Sequence, residues 1–127
     1  MAKMLKTIRV TINVCVMNMA NIKTTITSDG SPYRRKGVLI NKDFEIVKMV
    51  DVNTEFKKVY DPKHPDAGSK GYVHYPNVNE VEEQVQIMNM QQLEHAIINI
   101  IEKLKINAVA QGTPDHYKLY RSINLDN

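Results

Sequence analysis

Two hydrophobic periods compete along residues 1–24. The run Thr7-Ile8-Arg9-Val10-Thr11-Ile12-Asn13-Val14 alternates polar and apolar side chains and is rich in β-branched residues, the pattern of a half-buried strand. Met4, Ile8, Ile12, Cys15, Met19 and Ile22 also share one face at helical spacing. Local propensity favours the strand, and packing can override it, so both states stay open at this level.

Residues 25–76 are broken by turns. Ser28-Asp29-Gly30-Ser31-Pro32 is a turn by composition, because Gly supplies unusual φ values and Pro fixes its own. Val38-Leu39-Ile40 and Phe44-Glu45-Ile46-Val47-Lys48-Met49-Val50 read as short strands about Asn41-Lys42-Asp43. Asp61-Pro62-Lys63-His64-Pro65-Asp66-Ala67-Gly68 excludes regular structure, and Gly71 to Tyr75 is a further extended piece. The pattern predicts a small β-rich insert.

Residues 77–112 carry the strongest helical signal. Asn77 or Asn79 can cap the start, Glu80, Glu82 and Glu83 complement the dipole, and Gly112 with Pro114 marks the stop. Val78, Val81, Val85 and Met88 step by three and four; Met90, Leu93, Ile97, Ile100 and Leu104 repeat that spacing in another phase. Passing from Met88 to Met90 turns a helix by about 200°, so the apolar stripe changes face midway. A helix of about 30 residues is roughly 45 Å long, and the chain offers too few other helices to bury both faces. Subunit contacts are therefore expected through Ile12, Met19, Val81, Val85, Met88, Met90, Leu93, Ile97, Ile100 and Leu104. Residues 113–127, with Tyr117, Leu119, Tyr120, Ile123 and Leu125, read as a docking tail.

Composition adds limits. At 127 residues the chain fits one domain with a modest core, and its two Phe, six Tyr and absent Trp leave Ile, Val, Leu and Met to fill it. The formal charge of +3 is mild. Arg34-Arg35-Lys36 beside Tyr33, and Lys57-Lys58, read as solvated strand edges rather than a nucleic-acid face. Cys15 is the one cysteine, which excludes an intrachain disulfide, and its apolar neighbours mark it as a buried small hydrophobe. No segment approaches the roughly 18 apolar residues of a membrane span, so membrane insertion is not expected. Polar Arg9, Thr11 and Asn13 interrupt any signal-like apolar core near the start.

Candidate chemistry is sparse. His64, His74, His95 and His116 lack metal-ligand spacing, and His64 with Asp61 and Asp66, set between prolines, reads as a turn lock rather than a metal loop. Glu82 and Glu83 at a helix start read as dipole partners rather than an acid–base pair. Neither Ser31 nor Cys15 has a base placed beside it in a motif, and no phosphate loop or nucleophile elbow occurs. The expectation is a protein that is not an enzyme, with no cofactor, no metal and no small-molecule substrate.

Two blocks carry a family resemblance. Asp29-Gly30-Ser31-Pro32-Tyr33-Arg34-Arg35-Lys36 resembles the D-G-x-P-Y-R-R-K block of the FlgC-type flagellar basal-body proximal rod proteins. Tyr60-Asp61-Pro62-Lys63-His64-Pro65-Asp66-Ala67, followed by Gly71-Tyr72-Val73-His74-Tyr75-Pro76-Asn77-Val78-Asn79, resembles that family's Y-D-P-x-H-P-D-A…G-Y-V-x-Y-P-N-V-N. Ala20-Asn21-Ile22-Lys23-Thr24 is similar to the end of its first helix.

The resemblance implies an α+β fold. Helices from residues 1–24 and 77–112 pair in a coiled-coil-like layer as one discontinuous domain, with the insert of residues 25–76 between them. It also implies subunits stacked about an axis with copies of themselves and related rod proteins, in a basal-body rod, exported without a cleaved signal. Tyr33, Arg34, Arg35, Tyr60, Asp61, Pro62, His64, Pro65, Asp66, Gly71, Tyr72, Tyr75, Pro76 and Asn77 would form the ordered loops that lock insert to helices and to neighbours. The start lacks the family's S-G-L-x-A-Q, and the chain continues for 15 residues past Gly112. A phage tail or baseplate subunit on the same fold is therefore the second reading.

Overall fold

Packing settles the competition at the start of the chain in favour of a helix, α1 (Ala2–Ala20). Leu5 and Ile8 are buried against Ile97 and Ile101, and Ala2, Met4, Ile12, Phe44, Met90 and Leu93 close around them. A strand would turn every second one of these side chains away from that cluster. Burying each such aliphatic side chain is worth roughly 1.5–3 kcal/mol, which outweighs a propensity difference of a few tenths per residue. The threonines on this face are buried too, and their hydroxyls find partners. Thr11 Oγ1 donates to Thr7 O at 2.7 Å, and Thr7 Oγ1 lies 3.1 Å from Lys3 O and 2.8 Å from Phe44 O.

The computed structural model describes residues 2–111. After α1 come β1 (Lys36–Ile40), β2 (Ile46–Asp51), β3 (Lys57–Tyr60), β4 (Tyr72–Tyr75) and α2 (Glu80–Gln111). The docking tail expected over residues 113–127 lies outside the described residues.

The 32 residues of α2 span about 48 Å at 1.5 Å per residue. Asn79 caps it: its Oδ1 accepts from Glu82 N at 3.1 Å and its carbonyl from Glu83 N at 3.1 Å. Asn77, the other candidate cap, is engaged elsewhere. The two helices run antiparallel, as cross-links at both ends show. Arg9 Nε meets Glu94 Oε2 at 3.3 Å, and Asn18 Nδ2 meets Glu83 Oε1 at 3.3 Å.

Between the helices stand two separate antiparallel hairpins, β1–β2 and β3–β4. In the first, Lys36 pairs with Asp51 and Val38 with Met49, and a bulge follows Leu39. Its turn is built on Asn41, whose Oδ1 accepts from Asp43 N and Glu45 N. Phe44, expected in a strand, instead closes this turn at φ 59, an uncommon conformation for a bulky residue. In that conformation its carbonyl meets Thr7 and its side chain packs on the helix core. In the second hairpin Lys57 pairs with Tyr75 and Tyr60 with Tyr72. The architecture is α+β, with paired terminal helices around a small β insert.

Candidate functional site

The start of α2 is inside out. Glu83 is fully buried, while Val81, Val85 and Met88 are 66%, 50% and 56% exposed. Farther along, the ordinary order returns: Met90 and Leu93 pack on the core, Ile97 and Ile101 are buried, and Leu104 is half-buried. The change of face read from the sequence is thus a change from a polar to an apolar inner surface.

A hydrogen-bonded network fills the polar half. Asn18 uses all four capacities of its amide. Its Nδ2 donates to Lys36 O at 2.9 Å and to Glu83 Oε1 at 3.3 Å, and its Oδ1 accepts from Lys36 N at 2.9 Å and Tyr33 Oη at 2.8 Å. Arg35 reaches over from the insert, with Nε on Glu83 Oε1 and Nη2 on Gln86 Oε1 at 3.4 Å. Glu83 Oε2 is buried without a hydrogen-bond partner. Burial, then the charges of Glu83 and Asp51, raise the Tyr33 hydroxyl above its ordinary pKa. Burial first, and the Glu83 carboxylate second, push the Cys15 thiol up to about 12. A thiol held neutral in this way is a packing group, not a nucleophile.

The remaining motif residues tie the insert together. Asn77 Oδ1 accepts from Arg35 N at 2.7 Å, and its Nδ2 donates to Val52 O at 2.9 Å and Thr54 Oγ1 at 2.7 Å. Arg34 stacks over Phe56, 4.2 Å from the ring centre, and donates to Thr54 O at 3.1 Å. Tyr60 and Tyr72 meet edge to face at 5.2 Å across β3 and β4. In the loop that joins them, Asp61 N donates to Gly71 O at 2.9 Å, and exposed Pro62 and Pro65 bracket His64. His64 Nδ1 accepts from Asp66 N at 3.0 Å, its ring lies edge-on to Tyr75, and the Asp66 carboxylate accepts from Thr25 Oγ1 at 2.6 Å. Pro76 is fully buried. Gly71, at φ +83, faces Tyr60 so closely that a Cβ there would stand 2.8 Å from Cε1.

Of the residues expected at subunit contacts, Val81, Val85, Met88 and Ile100 face outward. Ile97 is buried in the chain's own core, Ile12, Met90 and Leu93 pack against it, and Met19 and Leu104 are half-buried. Further apolar surface lies on the hairpins, at Leu39, Val47, Met49 and Val59. Sequence reasoning missed Glu83 as a buried anchor. The available signal was the pair of valines flanking it, which cannot share its face. Among the described residues no three His, Cys, Asp or Glu side chains converge as metal ligands, and no helix is long and apolar enough to cross a membrane.

No family model matches the chain. It is similar to the flagellar basal-body rod protein FlgC of Borreliella burgdorferi, at 31% identity over 123 residues, covering 76% of this chain and 81% of the relative. It is 31% identical over 103 residues to the FlgC of Salmonella typhimurium, covering 74% and 77%. The FlgC of Bacillus subtilis is 30% identical over 106 residues, covering 64% and 71%.

Proposed function

The chain belongs to the FlgC-type family of flagellar basal-body rod proteins and is a structural subunit of that rod, and on this premise we propose that the outward stripe Val81, Val85 and Met88 is a principal contact with neighbouring subunits. The carrying observation is the inversion at the start of α2, where Glu83 is buried and the valines are exposed. A helix that spends its inner face on a carboxylate and an arginine leaves its apolar side chains for another surface to cover. The partners are copies of the chain and related rod proteins, joined through side-chain packing with no small-molecule substrate. The flagellar setting takes precedence over the phage-tail reading because each of the three relatives named above is a flagellar rod protein.

Residues Tyr33 to Lys36 and Tyr60 to Asn77 hold the insert in a fixed attitude on the helix pair, so that the outward surfaces of both are presented together. The test is Val81→Asp with Val85→Asp, assayed by sedimentation of the full chain and by incorporation into rods. Loss of association with an unchanged circular dichroism spectrum and melting temperature is expected. Unimpaired assembly would refute the contact.

A further inference from the structure

A second surface complements that stripe. Lys3, Lys6, Thr7 and Val10 of α1 and Glu45 and Ile46 of the first hairpin line an open groove of about 480 Å³. Its floor is apolar through Val10 and Ile46, and Lys3 and Lys6 stand exposed on its rim. Lys3 is held by Glu45 at 3.3 Å, a contact across which its ammonium remains largely in water. The stripe has the opposite character. Glu80 and Glu82 stand exposed on either side of Val81 in the first turn of α2, with Val85 and Met88 behind them.

We infer that the Glu80–Met88 ridge of one subunit seats in the Lys3–Ile46 groove of a second copy of this chain. This rests on the reading that the stripe is a subunit contact, and it names the surface that receives it. The groove and the ridge lie at opposite ends of the helix pair. Arg9 stands beside Glu94, so Lys6 lies level with about residue 97 of α2, roughly 18 Å along the axis from Val85 at 1.5 Å per residue. Two different patches so displaced make a head-to-tail contact, and its repetition builds a ring or an open helix of subunits where a self-complementary patch would stop at a two-fold dimer. The lysine and glutamate rims set register and orientation, and apolar contact between ridge and floor supplies most of the affinity.

Two charge-reversed chains test this. One carries Lys3→Glu and Lys6→Glu, and the other Glu80→Lys and Glu82→Lys, with folding of each checked by circular dichroism. Each alone should associate at least about tenfold more weakly than the parent in sedimentation velocity at low salt. An equimolar mixture of the two should regain association, because each ridge then meets a groove of opposite sign. Parent chain that associates while neither reversal weakens it, or weakened variants that the mixture fails to rescue, would overturn this pairing and leave the stripe as a contact with some other surface. A parent chain that stays monomeric alone but joins a related rod protein through the stripe would exclude a second copy as the occupant. Val81→Asp with Val85→Asp leaving all association intact would remove the underlying reading as well.

Discussion

Asn18 grips the backbone of Lys36 from both sides, donating to its carbonyl at 2.9 Å and accepting from its amide at 2.9 Å. A side-chain amide on α1 thereby takes the place of a neighbouring strand at the start of β1. Asn18→Ala would strand the Lys36 amide and carbonyl and the Tyr33 hydroxyl at once, and would leave the buried Glu83 with Arg35 alone. A loss of about 2–4 kcal/mol is expected in urea unfolding. Asn18→Asp should cost at least as much at neutral pH, since it replaces a donor by a second carboxylate beside Glu83.

Cys15 gives a pH signature. Its folded pKa is raised to about 12 from an ordinary value of 9.0. Above pH 9 the unfolded thiol releases its proton while the folded one retains it, so this group's contribution to stability falls as pH rises, over the window from about 9 to 12. The slope is at most about 1.4 kcal/mol per pH unit. From pH 8 to 11 the parent should lose unfolding free energy relative to Cys15→Ala, so any advantage it holds at pH 8 should shrink. Alkylation at pH 8 should be slow in the folded chain and fast in urea.

Two glycines separate strain from crowding. Gly30 and Gly71 both sit at positive φ, +85 and +83, but a Cβ at Gly30 meets nothing within 4 Å. Gly30→Ala should cost about 1 kcal/mol, the backbone term alone. Gly71→Ala adds the collision with Tyr60 and a 3.2 Å approach to Pro62, and a total of about 2–4 kcal/mol is expected in thermal unfolding.

Ile97 and Ile100 lie three residues apart and serve different ends. Ile97 is 5% exposed against Leu5 and Ile8, whereas Ile100 is 48% exposed. Ile97→Lys should destabilise the isolated chain by about 3 kcal/mol or more, readable as a lowered urea midpoint. Ile100→Lys should leave that midpoint within about 0.5 kcal/mol of the parent, and any effect should appear in association.

The helical period of α2, the turn at Gly30 and the extended pieces of the insert were legible in the chain, because each rests on local chemistry. The state of residues 1–24 was not legible in local chemistry, and only the family resemblance implied the helix that forms there. The β-branched alternation from Thr7 to Val14 is a true local preference, overruled only by the facing Ile97 and Ile101. Glu83 was misjudged for a related reason. An acid in the first turn of a helix ordinarily serves the dipole, and nothing near it in sequence announces Asn18 and Arg35, which are 65 and 48 residues away. Phe44 likewise sat in an apparent strand, and its left-handed turn follows from the core that its side chain reaches.

The two hairpins are separate two-stranded ribbons, too small to hold their shape without outside support. That support includes Asn18 on Lys36, Arg35 on Glu83, Tyr33 on Asn18, Asn77 on Arg35, Thr25 on Asp66, and Phe44 in the helix core. Each hairpin takes its attitude from the helix pair, so loosening one of these anchors would displace as a group the outward apolar residues that the ribbon carries, among them Leu39, Val47, Met49 and Val59.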